Sequence, residues 1–198
     1  MLTLETEPEV RTVAAHQEER ALAPLMLAFT NDPAARWMYA DAHQFRLFFP
    51  RFVRAFGGQA FVHGTAQQIG AYHGAALWLP PGVAPEDEVL VPLIEETVLA
   101  ERQPEAFAIF EQMGALHPAE PHWYLPFLGI DPRHQGRGLG SLLMGKMLAA
   151  IDDSGAPAYL EASNERNVPF YERLGFEVRG RIQAGDSPTL FAMLREPR

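Results

Sequence analysis

Apolar and polar positions alternate in some stretches of this chain and return at three- and four-residue intervals in others. In EVRTVA, residues 9–14, they alternate, which predicts a first strand. From His16 to Thr30 the spacing is helical, and Asn31-Asp32-Pro33 closes it as a turn. PAARWMYADAHQFRLFFPRFVRAF, residues 33–56, stays helical with an interruption at Tyr39–Asp41, a kink or split expected at Pro50, and a stop at Gly57-Gly58. QAFVHG and QQIGAYHGAALWLPPG read as strands joined by turns. Residues 85–116 form a helical block broken at Pro104, and HPAEPH, residues 117–122, is a loop.

The last third is patterned most clearly. HWYLPFLGI is an apolar strand running into the turn DPRHQG. Leu139, Leu142, Leu143, Met147 and Ile151 then fall on one helical face. AYLEAS is a short strand, and NVPFYERL a short helix with Asn167 as its N-cap and Gly175 closing it. FEVRGRIQ and TLFAMLRE are strands on either side of the turn AGDS. Strands interleaved with helices and ending in a strand pair describe a mixed α/β sheet.

Length and composition narrow this further. The 198 residues suit one domain, and 47% apolar residues suit a packed core. There is no cysteine, hence no disulfide and no thiolate ligand or nucleophile. The opening MLTLETEPEV is acidic where a secretory signal is basic, and ALAPLMLAF is too short to span a bilayer, so a cytoplasmic protein without membrane association is expected. A net charge of −9 argues against nucleic acid as a partner. Seven histidines invite a metal reading, but His117 with His122 and His63 with His73 lack ligand spacing, so no metal is expected.

Against the acidic background, Asp131 to Lys146 holds one acid and three bases (Arg133, Arg137, Lys146), the setting for an anion. HQGRGLGSLLMGK, residues 134–146, admits three phosphate cradles. The G-x-x-x-x-G-K-[ST] loop fails because Met147 replaces the hydroxyl residue and Ser141–Met144 read as helix. The G-x-G-x-x-G fingerprint fails because Leu143 stands where the third glycine belongs. The pattern Q/R-x-x-G-x-G/A is met in full by Gln135, Gly136, Arg137, Gly138, Leu139 and Gly140, between a strand and a helix. A helix start offers unpaired N–H groups and partial positive charge, and glycines admit a pyrophosphate close to the backbone.

About thirty residues later comes NERNVPFYERLGFE, residues 164–177. These two motifs in this order resemble the GNAT superfamily of acetyl-CoA-dependent N-acetyltransferases, over His122 to about Ile182. Within it, EPHWYLPFLGIDPRHQGRGLGSLL, GAPAYLEAS, RNVPFYERLGFEV and DSPTLFAMLREP are similar to the puromycin N-acetyltransferase type. The resemblance implies a GNAT fold: a mostly antiparallel sheet of about 6–7 strands with two splayed central parallel strands, flanked by helices. One domain over residues 1–198 is expected, with an acceptor-side half (1–120, helical insertion 86–116) and an acetyl-CoA-binding half (121–198).

The resemblance also assigns residues. Leu128, Gly129 and Ile130 are expected to carry backbone contacts to the pantetheine arm, with the N–H near Leu128 facing the thioester oxygen. Pro126 cannot donate to a ladder and marks an irregularity there. Gln135 to Ser141, including Gly136, Gly138, Leu139 and Gly140, would hold the pyrophosphate with Arg133 and Arg137 adding charge. Asn164 and Asn167 fall at side-chain contacts to the cofactor. Tyr171 aligns with the catalytic acid that protonates the departing thiolate. Glu161 shares a strand face with Tyr159 and Ser163 and is a candidate base; its alternative is a salt bridge, for instance to Arg173. His122, Asp41 and Tyr39 are other candidate bases. Trp37, Tyr39, Trp78 and His122 are expected around the amine. The whole predicts direct acetyl transfer from acetyl-CoA to a small-molecule primary amine in a ternary complex, by a monomer or homodimer. A peptide or protein amine, or an acyl-CoA sensor without turnover, are the alternatives.

Overall fold

The computed structural model describes residues 8–198, so most of the acidic opening stretch, residues 1–7, lies outside the described residues. In order the elements are β1 (Val10–Thr12), α1 (Glu18–Phe29), α2 (Pro33–Met38), α3 (Ala42–Gly57), α4 (Gln59–Val62), β2 (Gln67–Ile69), β3 (Gly74–Leu79), α5 (Asp87–Thr97) and α6 (Gln103–Leu116). Then follow β4 (Trp123–Ile130), α7 (Leu139–Ser154), β5 (Ala158–Ala162), α8 (Val168–Arg173), β6 (Glu177–Ile182) and β7 (Leu190–Arg195). The seven strands form one sheet in the order β1-β2-β3-β4-β5-β7-β6, antiparallel except for β4 beside β5. This is the mostly antiparallel sheet that the resemblance implied, with one parallel pair at its centre.

Alternation along the central strands splits the core in two. Ala75, Leu77 and Leu79 of β3 join one buried cluster with α1, α3, α5 and α6, while Ala76 and Trp78 join the other, with α7 and Tyr171. On the first face, Phe45, Phe49, Phe52 and Phe56 repeat at helical spacing along α3. Successive rings stack at 4.8, 6.0 and 5.4 Å, and Phe49, Phe52 and Phe56 meet the edge of Phe127 from β4. Each such ring contributes about 1.5–3 kcal/mol when fully buried.

That packing explains why Pro50 does not split the helix. α3 runs unbroken from Ala42 to Gly57 with Pro50 inside it. An interior proline costs about 3 kcal/mol, and the phenylalanine face on both sides of it offsets that cost. QAFVHG is not a strand: Gln59–Val62 form a short helical turn, because Ala60 and Phe61 follow directly from α3 into the same core. The helical block is interrupted at Val98–Arg102, and Pro104 sits in the first turn of α6, where its missing N–H costs nothing. In α7 the buried face is Leu139, Leu143, Met144, Met147, Leu148 and Ile151; Leu142 points to solvent, 50% exposed. Asn167 makes no side-chain cap to α8, whereas Asn164 accepts from the Arg166 N–H one turn earlier.

The feature that makes room for a ligand is in the central pair. β4 pairs with β5 only at Trp123↔Ala158 and Tyr124↔Tyr159, although β4 continues to Ile130 and β5 to Ala162. On its other edge β4 follows β3 along its length, with a register shift between Leu77 and Leu79 where Leu125 and Pro126 face Trp78. Pro126 therefore sits in the irregular step at which β4 leaves β5.

Candidate active site

A cavity of about 840 Å³ occupies the wedge between the separated strands and extends to both sides of it. One side is bounded by Leu128, Gly129 and Ile130 and by the turn and helix start of Gln135, Gly136, Gly138, Leu139, Gly140 and Ser141. Asp131 shapes that turn by accepting from the Arg133 N–H, and Gln135 Nε2 ties it to the Ile130 carbonyl at 3.0 Å. Gly136 and Gly138 adopt φ of +74° and +77°, which side chains disfavour, and a Cβ on either would project into open space. No protein atom outside the turn itself lies within 4 Å of a Cβ at those two positions. A phosphate-bearing group fits there by shape and by donor chemistry.

Gly129 has a different reason to be glycine. A Cβ there would lie 2.8 Å from the Ala28 Cβ, so the position lets α1 close on β4. Arg133 and Arg137 do not line the cavity. The Arg133 guanidinium is bound to Asp131 at 2.6 Å and holds that carboxyl down at about 2. Arg166 and Arg173 line the cavity instead, alongside Asn164 and Asn167. Both stand within the second motif but carry no periodic or spacing signal of their own. Lys146 is directed away, donating to the Val10 carbonyl at 2.6 Å.

Tyr171 lines the cavity from α8, with Phe170 and Phe176 packed against its ring. Burial, and secondarily the charge of Asp32, raise its pKa above the usual phenol value, so the hydroxyl is protonated at neutral pH. Asp32 was not singled out by the sequence beyond its turn. It caps α2 through the Ala34 and Ala35 N–H groups and accepts from Ser163 at 2.6 Å, joining the acceptor-side helices to the end of β5.

Glu161 lines the cavity from β5, its side chain only 4% exposed. The expected alternative partner, Arg173, is not bonded to it. Its Oε2 accepts from the Tyr124 hydroxyl at 2.7 Å, and His117 Nε2 lies 3.2 Å from Oε1. That second contact is not aligned as a hydrogen bond, so Oε1 has none. Burial and the neighbouring carboxylate raise the Tyr124 and Tyr159 pKa values, which keeps both phenols neutral.

On the far side the cavity is walled by Phe29, Phe49, Phe52, Phe56, Phe110 and Phe127. Trp37 joins this wall, its indole N–H donating to Asp186 at 2.7 Å. The other expected pocket residues stand elsewhere. Tyr39 is fully buried with its hydroxyl bonded to Thr97, and Trp78 is fully buried on the opposite face of the sheet; neither lines the cavity. β3 alternation turns Trp78 toward α7, and the extended link between α2 and α3 turns Tyr39 into the α3–α5 contact. His122 lies outside the lining too, behind Glu161 and next to His117. Asp41 caps α3 from the surface. The phenylalanine wall was hidden in the sequence because helical spacing identifies a buried face and not what that face encloses. Among the described residues no three His, Asp or Glu side chains gather as a metal site, and no helix is long and apolar enough to cross a membrane.

Comparison with known proteins bears on the family and the fold. The model of the acetyltransferase (GNAT) family matches residues 75–176. An uncharacterised N-acetyltransferase of Schizosaccharomyces pombe is 25% identical over 204 residues, covering 94% of this chain and 83% of that protein. A structure described as histone acetyltransferase HPA2 and related acetyltransferase from Corynebacterium glutamicum superposes with a TM-score of 0.68, 25% identity and 98% of both chains covered. The PaiA N-acetyltransferase of Thermoplasma acidophilum, solved in complex with coenzyme A, shares the fold with a TM-score of 0.57 at 12% identity, covering 96% of this chain and 99% of that one.

Proposed function

The chain belongs to the acetyltransferase (GNAT) family, and from that premise we propose that it transfers the acetyl group of acetyl-CoA to the primary amine of a small molecule with an apolar body. One observation carries this reading. The wedge between β4 and β5 has a glycine-rich helix start on one side, a phenylalanine wall on the other, and Tyr171 and Glu161 between them. A concave wall of phenylalanine rings suits the apolar body of a small molecule.

Acetyl-CoA, when bound, supplies an activated acyl carbon. Gln135 to Ser141 would hold its pyrophosphate, with Asn164, Asn167 and Arg166 alongside, and the free edge of β4 from Leu128 to Ile130 its extended arm. The PaiA structure contains coenzyme A in the same fold, which supports this placement. An alkyl ammonium is not a nucleophile. Glu161 takes its proton, directly or through a water, and Phe49, Phe52 and Phe110 hold the apolar body. A backbone N–H near Leu128 meets the negative charge that grows on the acyl oxygen. Tyr171 donates its phenolic proton to the departing sulfur. Direct attack needs no covalent enzyme intermediate, in keeping with a chain without cysteine.

Thiol release from acetyl-CoA tests the proposal. The panel comprises small apolar amines, a puromycin-type aminonucleoside and lysine-containing peptides. Release with small apolar amines is expected. Release with peptides alone would make the acceptor a protein amine, and tight coenzyme A binding without release for any amine would make the chain a sensor.

A further inference from the structure

Behind Glu161 stands a pair of histidines that the reaction outlined above does not use. His117 Nε2 lies 3.2 Å from Glu161 Oε1, and His117 Nδ1 lies 3.3 Å from His122 Nε2. His122 Nδ1 lies 2.8 Å from the carbonyl of Glu120, at the surface of the loop before β4. Together they form a continuous line from a carboxylate in the cavity wall to solvent.

The acceptor at the outer end fixes the tautomers. Only an N–H can face the Glu120 carbonyl, so Nδ1 of His122 carries its proton and Nε2 is a bare acceptor. A neutral His117 ring then donates from Nδ1, and its Nε2 is a lone pair facing a carboxylate oxygen. Glu161 Oε1 has no hydrogen bond, because the 3.2 Å contact is not aligned as one, and a small turn of the ring brings the two acceptors to share a proton. The gap holds room for one proton. His117 is held in place by the rings of Tyr124 and Tyr159, 4.7 and 4.4 Å away. The groups facing the pair are Glu161 and Tyr159 from β5, Tyr124 from β4, and Glu120 from the loop itself. Burial lowers the pKa of His122, which helps it release a proton to water.

We propose that His117 and His122 are a proton exit: the proton taken from the amine by Glu161 passes to His117 and then to His122, which releases it outside the cavity. This rests on the reading of Glu161 as the base. In the balance, the ammonium loses one proton and Glu161 gains it. His117 accepts it at Nε2 and gives its Nδ1 proton to Nε2 of His122. Water takes the Nδ1 proton of His122, and Glu161 is again a carboxylate; both rings, now protonated at Nε2, regain the Nδ1–H form by proton exchange with solvent before the next turnover, for which the His117 side chain is 26% exposed. The two histidines position and relay; they do not touch the reacting atoms.

The test combines kinetics with ¹⁵N NMR of the imidazoles in the intact protein. His117→Phe is expected to lower kcat roughly tenfold with KM for both substrates unchanged, and added imidazole is expected to restore it. His122→Asn should behave the same way. The ¹⁵N shifts should show both neutral rings protonated at Nδ1. If Glu161→Gln abolishes turnover while His117→Phe retains full kcat across the pH profile, the base stands and the exit is overturned. If Glu161→Gln keeps full activity, the base reading fails and takes the exit with it. If no amine is acetylated at all, the tautomers still decide, and an Nε2-protonated His122 overturns the relay.

Discussion

The Tyr124 hydroxyl donates to Glu161 Oε2 across 2.7 Å, and this bond runs from the last β4 residue paired with β5 to a β5 residue two positions past its partner Tyr159. It is the side-chain link at the apex of the wedge, and it fixes the carboxylate that the proposed reaction needs. Tyr124→Phe keeps the ring that packs on Phe56 and removes the one hydrogen bond to a buried carboxylate. Unfolding in urea should show a loss of about 1–3 kcal/mol. Turnover should fall as well, with acetyl-CoA binding unchanged by calorimetry. Unaltered stability would mean that Glu161 finds another donor.

Tyr171→Phe should lower kcat by roughly 100-fold without weakening coenzyme A binding. The pH profile separates an acid from a packing residue. Because burial and Asp32 raise the phenol pKa, the acid form persists through neutral pH and beyond the ordinary value of about 10. The alkaline fall in kcat should therefore begin only above about pH 10. Asp32→Asn removes the charge that adds to the shift and keeps the cap on α2, so it should move that fall to lower pH. A profile that falls near neutrality and is indifferent to Asp32→Asn would take Tyr171 out of the acid role.

Gly138→Val and Lys146→Ala divide the two meanings of one glycine-rich stretch. Gly138 enters α7 at φ +77°, where a β-branched residue is strained, so the change would distort the turn proposed to hold the anion. Coenzyme A affinity should drop at least tenfold, by calorimetry. Lys146 only ties α7 to β1 through the Val10 carbonyl, so its loss should leave that affinity unchanged and lower stability by about 0.5–1.5 kcal/mol. The reverse outcome would put Lys146 on the phosphates.

The contrast between these positions explains what the sequence could and could not tell. Gly136, Gly138 and Gly140 act within a few residues of one another, so spacing alone exposes them. The same holds for the strand–helix–strand order around Tyr171, and for the prediction of a mixed sheet. Arg133 shows where locality misleads: its charge is spent on Asp131, two residues away, which a count of basic residues does not see. Tyr39 and Trp78 are aromatic residues in the region expected to line the pocket, yet strand parity and the bend between α2 and α3 bury them. The pocket wall is built from α1, α3, α6 and β4, residues far apart in the chain, and nothing in their spacing records that Phe110 meets Phe52 and Phe56.

That last contact yields the sharpest test of the acceptor. Phe110 is partly buried on α6, inside the helical insertion, and its ring stands 6.4 and 6.0 Å from those of Phe52 and Phe56. It lines the cavity together with the other phenylalanines of the wall. Phe110→Ala removes apolar surface from the amine side alone, a loss of about 1–2 kcal/mol of ligand burial. KM for an apolar amine should rise roughly tenfold, while KM for acetyl-CoA and kcat at saturating amine stay near wild type. A short polar amine should feel little of this, because its body does not reach the wall. Steady-state kinetics with one amine of each kind gives the answer. Equal effects on both amines would mean that Phe110 supports the fold of the insertion and not the acceptor, and an unchanged KM for the apolar amine would move the acceptor out of the phenylalanine pocket.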